Sequence, residues 1–331
     1  MIIWRGFMEQ KNQITEGVIW KQLLFFFFPI LVGTFFQQIY NTADSIIVGR
    51  FVGKEALAAV SGSVNQIVNL IVEVFVGLTS GASVIIAQFY GARDRKNLDI
   101  TLHTSYAFAL TTGIVTGLIG VIISSPVLRL MKTPEELMAD SAIYLHIYFL
   151  GIIFNITYNM GASVLRASGD SRRPLYVLII SCGLNIFLDI LLVVFFGLGV
   201  RGVAIATVTC QGISAALVTA FLMKGNELFR LNLRRIRFYL VSFQAITRIG
   251  VPAALEAAMY TVANIVIQVF VNELGTDTVA AWGTFGKIDA VFWMVVNSFG
   301  IAITTFVGQN YGAGKIKRMR KSVLVCLAMS Y

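Results

Sequence analysis

The chain has 331 residues, of which 57% are hydrophobic and 13% are charged, with a formal net charge of +9. Soluble domains carry about 25% charged residues, so this composition excludes an ordinary soluble enzyme and predicts a protein that crosses a membrane several times. The three cysteines lie in apolar segments without the spacing of a metal or redox site.

Nine apolar segments predict helices, because they are far longer than the strands of a membrane barrel and do not alternate in polarity. A signal peptide is not expected, since the first residues lack the charged, apolar and small-residue regions of one. The last segment stops at Tyr331 before it completes a span. The segments cover residues 18–48, 55–90, 98–125, 135–165, 175–196, 203–223, 243–271, 278–311 and 323–331.

The loops between the segments predict the orientation. With the N-terminus in the cytoplasm, the inner segments hold 20 Lys and Arg residues and the outer loops hold five. Cytoplasmic loops of membrane proteins are enriched in basic residues. The sequence therefore predicts a multi-pass protein of the cell (inner) membrane, and the basic excess needs no nucleic acid partner.

An internal repeat relates the two halves of the chain. The pattern QxYGA at residues 88–92 recurs at 309–313, and Pro29 and Asn41 recur as Pro252 and Asn264. A period of about 222 residues covers six helices, and an even number predicts a parallel repeat about an axis along the membrane normal. The predicted fold is an all-α membrane protein of two six-helix lobes.

The repeat also predicts the domain organisation. Residues 1–224 form a complete six-helix lobe, residues 225–241 form a basic cytoplasmic linker lying on anionic lipid, and residues 242–331 form a partial second lobe. About eight or nine of twelve expected helices are then present. We expect the chain to be a C-terminally truncated product of a twelve-helix protein.

The first predicted helix carries a polar face. Gln37, Asn41 and Asp44 are spaced by four and three residues, so they share one side of a helix. A carboxylate within a membrane span costs free energy, which makes Asp44 a candidate functional residue. A polar packing contact between helices is the alternative. Pro29 predicts a kink or hinge in the same helix.

Two further pairs share a helix face: Asn185 with Asp189, and Thr207 with Gln211. Carboxylate, amide and hydroxyl oxygens together suit a small hard cation. Alternatively, two close carboxylates in a medium of low dielectric constant share a proton. A buried acid paired with a polar neighbour, and polar contacts between helices, remain the structural alternatives.

Other polar residues are candidates for the lining of a substrate cavity, with interfacial or packing functions as the alternative. In the second half, Lys287 is the only basic residue within a span, and Glu256 is favoured over Asp289 as its partner by spacing. A structural salt bridge and a transport function remain open for that pair. The candidates are Gln37, Tyr40, Asn41, Tyr144, Asn155, Asn159, Glu256, Lys287 and Asp289.

Five motifs in order resemble the multidrug and toxic compound extrusion (MATE) family of secondary antiporters, over the chain from about residue 17 onward. They are YNTADSIIVG at 40–49, AQFYGA at 87–92, LRASGDSRRP at 165–174, LNIFLDILL at 184–192 and VGQNYGAGK at 307–315.

The resemblance implies two lobes around a cavity that opens alternately to each side, with export of bulky, often cationic drugs driven by Na⁺ or H⁺. It also implies a cation site of Asp44, Asn185, Asp189 and Thr207. We expect no cofactor beyond the coupling ion, and a monomer at full length.

Two other functions remain open. One is a lipid-linked oligosaccharide flippase of the same superfamily, although such proteins have strongly cationic cavities and only Lys287 is basic within a span. The other is a non-transporting subunit or fragment. An enzyme is not expected, because His103 and His146 lack metal-ligand spacing and no nucleophile–base arrangement appears.

Overall fold

The computed structural model describes residues 13–225, 229–273 and 276–330; within these, the side chains of residues 13, 265, 268–269, 272–281, 283–284 and 287–288 are not described. The described structure is helical throughout, which confirms the predicted all-α class. The helices are α1 Ile19–Ile47, α2 Lys54–Ala59, α3 Asn65–Ala92, α4 Arg95–Leu130, α5 Glu135–Ala167, α6 Arg172–Asp189, α7 Gly199–Met223, α8 Leu240–Glu273, α9 Thr276–Gly312 and α10 Ile316–Ser330.

Seven helical stretches in the described residues are long and apolar enough to cross a membrane. Six of them match the six predicted helices of the first lobe, and the seventh is the Asp289–Gly312 part of α9. The predicted segment 243–271 forms α8, and the start of the segment that ends the chain lies in α10. The helix count is therefore near the prediction, while the division into two lobes and a linker stays a prediction.

Three turns of π-helix interrupt the regular hydrogen bonding of the first six spans. They cover Val48–Val52, Val60–Val64 and Ile190–Phe195. The first begins four residues after Asp44, and the third begins directly after Asp189. Single π-turns within α-helices often accompany functional sites. By contrast, α1 continues as a helix through Pro29.

The repeat is visible in the backbone as well as in the sequence. Arg93 follows α3 with a left-handed φ of 55°, and Gly314 follows α9 with a φ of 70°. These two residues are 221 positions apart, the shift between the two QxYGA motifs. A short 3₁₀ turn also precedes the first helix of each copy, at Gln13–Thr15 and at Leu233–Arg235.

The two copies meet where α3 and α9 end. A Cβ atom placed on Gly91 would lie 2.0 Å from the carbonyl oxygen of Gln309, and one placed on Gly312 would lie 1.9 Å from that of Gln88. Only glycine permits so close an approach of two backbones. The contact is reciprocal, as expected for a parallel repeat.

The segment that joins α7 to α8 packs against the first copy in its described part. Phe229 and Leu231 are buried there, and Phe229 meets Tyr90 edge-on. The backbone N–H of Asn232 donates to Nε2 of the buried His103 at 3.1 Å. Thus His103 has a structural contact, consistent with the absence of metal-ligand spacing in the sequence.

The two ends of the bundle differ, because the backbones of the two copies touch at one end and a polar cavity lies at the other. The start of α1, the ends of α3 and α9 and the start of α10 lie together at what we call the closed end, where the glycine contacts occur. The opposite end contains the second half of α1 and the first half of α3, between which a cavity opens. This cavity holds the candidate site.

Candidate cation and substrate site

A polar cavity of about 490 Å³ lies between α1, α3, α5 and α7. Its lining includes five residues that the sequence predicted for a substrate cavity, together with Asp44 and Thr207 of the predicted cation site. The described lining carries one charged residue, Asp44, and no basic residue. The predicted members are Gln37, Tyr40, Asn41, Tyr144 and Asn155.

The carboxyl groups of Asp44 and Asp189 lie side by side at the wall of this cavity. Asp44 is partly buried and lines the cavity, whereas Asp189 is fully buried behind it. The two residues come from α1 and from the last turn of α6, which pack against each other. The structure therefore brings together two carboxylates that are 145 positions apart in sequence.

Asn185 and Thr207 complete the predicted set. Asn185 is fully buried one turn before Asp189, and Thr207 is 3% exposed on α7. Tyr144 is a common neighbour of Asp44, Asp189 and Thr207, which places all three around one ring. Their positions agree with the geometry that a shared site requires, while the function of each residue stays a prediction.

The polar atoms of this group are short of protein partners. Among the described residues, both carboxyl oxygens of Asp189, one of Asp44, the whole amide of Asn185 and the hydroxyl of Thr207 are buried without a hydrogen bond. Buried polar groups normally have a partner, because leaving one unpaired costs about 1–3 kcal/mol. Such a concentration of unpaired oxygens indicates a site built for a ligand.

The donor set fits a small monovalent cation or a proton. Carboxylate, amide and hydroxyl oxygens are hard ligands, which suit Na⁺. Two adjacent carboxyl groups also suit a shared proton, since like charges this close disfavour double ionisation. Among the described residues, no three or more His, Cys, Asp or Glu side chains lie together in a group that could hold a metal ion.

Local hydrogen bonding explains which α1 side chains remain free to face the cavity. Thr42 donates to the carbonyl oxygen of Gln38 at 2.8 Å, and Ser45 donates to that of Asn41 at 3.1 Å. Both hydroxyl groups therefore have hydrogen-bond partners within the helix itself. Asn41 and Asp44 keep their side chains available.

The walls of the cavity combine tyrosines and amides. The rings of Tyr144 and Tyr148 stack with centroids 6.3 Å apart, and Tyr40 and Tyr144 both lie beside Thr207. Asn159, also predicted as lining, instead donates to the side-chain oxygen of Asn155 at 2.9 Å and so holds that residue in place.

A smaller cavity of about 50 Å³ adjoins the main one. It shares Gln37, Tyr40, Asn155 and Gln211 with the polar cavity, so the polar surface continues toward the closed end. Sequence reasoning missed Asn65 and Asn69 of α3, which line the main cavity. Their spacing of four residues, which puts them on one helix face, was the available signal.

The candidates in the second copy lie apart from this site. Glu256 is exposed on α8 and Asp289 is half-buried on α9, and neither belongs to the described lining of the polar cavity. The side chain of Lys287 lies outside the described residues. The predicted pairing of Glu256 with Lys287 thus stays a prediction.

A repeated bundle of membrane-spanning helices with a polar cavity and two adjacent carboxyl groups defines the architecture of a multi-pass membrane transporter. The MatE family model matches residues 29–191 and 252–331, so each match begins at one of the two equivalent prolines. The chain belongs to this family, whose members include multidrug efflux transporters, and the predicted resemblance is confirmed.

Individual relatives agree with this assignment. The chain is 31% identical to "Probable multidrug resistance protein YoeA" of Bacillus subtilis, over 95% of this chain and 69% of that protein. It is 25% identical to a "FAD transporter" of Shewanella oneidensis, over 97% of this chain and 71% of that one. A solved structure described as the outward-facing conformation of a multidrug resistance MATE family transporter matches in fold, with a TM-score of 0.89, 24% identity and coverage of 97% and 71%.

Proposed function

We propose that the protein is a cation-coupled antiporter that exports bulky, often cationic compounds by alternating access. The observation that carries this proposal is the pair of adjacent carboxyl groups of Asp44 and Asp189 beside a cavity open at one end. With the N-terminus in the cytoplasm, as the loop charges predict, that cavity faces outward.

The coupling follows from competition for charge. When Na⁺ or H⁺ occupies the carboxyl pair, the negative potential that attracts a cationic compound is neutralised. When the ion leaves, the carboxyl pair beside the cavity is negatively charged again and attracts such a compound. An ion can drive the exchange only through a difference in affinity between the two states of the protein, and bending of α1 at Pro29 is the hinge we propose for that difference.

The charge of the cavity separates this proposal from the flippase alternative. An anionic lipid-linked sugar needs basic side chains for recognition, whereas the described lining has no basic residue and combines Asp44 with tyrosine, amide and hydroxyl groups and several valines. Aromatic rings also bind organic cations through their electron-rich faces. The cavity therefore favours cationic substrates.

Transport by the purified protein in liposomes tests the proposal. We expect a Na⁺ or H⁺ gradient to drive movement of a cationic dye, and Asp44→Asn and Asp189→Asn to abolish that movement, because each change removes an ionisable group of the pair. Glu55→Gln, an exposed carboxylate on α2, is the matched control and should transport normally. Unchanged gradient-driven dye movement in Asp44→Asn would rule out the proposal. Binding of an anionic lipid-linked sugar in preference to the dye would favour the flippase instead.

A further inference from the structure

Arg318 in the first turn of α10 binds the segment that precedes α1. Its guanidinium group donates to the carbonyl oxygens of Gly17 at 2.7 Å, Glu16 at 2.8 Å and Ile14 at 3.2 Å. It also donates to the side-chain oxygen of Gln22 at 2.8 Å, and its Nε lies 3.3 Å from the Ile14 oxygen. One arginine of the second copy thus donates hydrogen bonds to four residues of the first.

Three neighbouring side chains of the second copy add to this contact. Two lie in the last turn of α9 and one directly before α10, and all donate to backbone carbonyls of the first copy. The bonds run from Lys315 Nζ to Thr15 O at 3.0 Å, from Asn310 Nδ2 to Ile14 O at 3.4 Å and from Gln309 Nε2 to Ala167 O at 2.7 Å.

These bonds surround the reciprocal contact of Gly91 and Gly312, so they join the two copies at the closed end. The partners of the cationic groups are carbonyl and amide oxygens. Hydrogen bonds from a charged donor are among the stronger ones in proteins, and the fork of an arginine fixes geometry in a way that a lysine does not. The contact therefore holds two separate bodies in one relative position.

The equivalent turn of the first copy is built differently. At the shift of 221 residues, Asp94 stands where Lys315 stands and Asn97 where Arg318 stands. Asp94 accepts from the backbone and side chain of Asn97, at 3.1 Å and 2.6 Å, and so caps its own helix α4. The contact made by Arg318 therefore belongs to the second copy alone and does not follow from the repeat, since Asn97 at the equivalent position bonds to the cap of its own helix.

We propose that Arg318 is a positioning residue that latches the closed end, and that this latch must release the segment at residues 14–17 before that end can open. The inference rests on the alternating access of the proposed function, in which each end opens in turn. In this proposal, side chains of the second copy bind the segment at residues 14–17 and keep it in place.

Distance measurement between spin labels on the two copies tests the latch. Labels at Lys96→Cys on α4 and Leu324→Cys on α10, both exposed, report the opening of the closed end in protein whose three native cysteines are replaced by alanine. We expect Arg318→Ala to raise the population of the longer distance by about tenfold or more, the effect of losing a single charge-assisted hydrogen bond.

Two companion variants separate the latch from general charge loss. Arg320→Ala removes an exposed arginine from the same helix and should leave the distances unchanged, while Arg318→Lys should fall between the wild-type protein and Arg318→Ala. If Arg318→Ala does not fold, Gln22→Ala and Lys315→Ala should each shift the distances in the same direction by less. Distances that are equal in the wild-type protein and in every latch variant would overturn the proposal.

The measurement needs neither drug nor ion gradient, so its outcome is independent of the transport test. If Arg318→Ala shifts the distances but the protein moves no dye, the latch is supported and the antiporter proposal fails. If the protein transports dye along a gradient but the distances do not change, the antiporter proposal is supported and the latch fails.

Discussion

The two ends of the bundle differ in how fully their buried polar groups are bonded. At the closed end, Gln309 and Arg318 both donate hydrogen bonds from the second copy to the first, although the side-chain oxygens of Gln309 and Asn310 have no partner among the described residues. Beside the polar cavity, Asn185 and Asp189 are as deeply buried as Gln309, and every polar side-chain atom of both lacks a hydrogen bond among the described residues. The closed end thus uses its side-chain donors to join the copies, whereas we propose that the other end keeps its polar groups for a ligand.

We expect this difference to separate the part of the protein that provides stability from the part that provides function. Functional sites often retain groups that lower the stability of the folded state, because the same groups are needed for a ligand. If the two ends differ in this way, substitutions at one end should destabilise the protein, and matched substitutions at the other should stabilise it.

The largest effect is expected at the crossing of α3 and α9. Gly312→Ala places a Cβ atom 1.9 Å from a backbone oxygen, and backbones cannot yield as side chains do, so we expect a loss of about 3 kcal/mol or more. The midpoint of thermal unfolding in lipid nanodiscs measures it. Gly300→Ala is the control, because nothing lies within 4 Å of its Cβ position. A comparable loss in both variants would mean that the closed end is not tightly joined.

Two buried amide side chains, one at each end of the bundle, test the comparison between the two ends directly. Gln309→Met removes a hydrogen bond at the closed end and leaves the Ala167 oxygen unpaired, but it also removes an amide oxygen that is itself unpaired, so the free energy of unfolding should fall by about 1 kcal/mol. Asn185→Leu replaces an unpaired amide with an apolar side chain of similar shape, and should raise the free energy of unfolding. Both residues are fully buried, so burial does not separate them. A change of the same sign in both variants would contradict the proposed difference between the two ends.

The smallest effect concerns the cap of α4, which is satisfied within its own copy. Hydrogen bonds from Asn97 hold the pKa of the Asp94 carboxyl below its usual value of 3.8. The stabilisation is therefore present above about pH 4 and is lost as the pH falls through the lowered pKa of the folded state. Asp94→Ala should cost about 1 kcal/mol near neutral pH, and Asp94→Asn should cost less and flatten the acid side of a plot of unfolding midpoint against pH. An unaltered acid limb in Asp94→Asn would show that Asp94 is not the group that titrates.

The fold was predictable because two signals reinforced each other. Segment lengths and loop charges predicted the spans, and the recurring QxYGA motif predicted the second copy that Arg93 and Gly314 now show in matching left-handed turns. Helix ends agreed within a few residues because the polar loops set them. The π-turns after Asp44 and Asp189 had no comparable signal, since they depend on packing and not on local residue type.

The candidate site was partly predictable. Helical spacing placed Asn185 with Asp189 and Gln37 with Asn41, but it could not place α1 beside α6. The resemblance to a known family supplied that step. Neither signal predicted that Arg318 binds Gly17, because a contact between residues 301 positions apart leaves no trace in periodicity.

The span of that contact also has a consequence for synthesis on the ribosome. At about 5–20 residues per second, Arg318 emerges about 15–60 s after Gly17, given their separation of 301 positions. During that interval six helices of the first copy can insert and pack before Arg318 is available to bind the N-terminal segment. The contacts of the closed end are thus among the last in the described chain to form, because they need residues of α9 and α10.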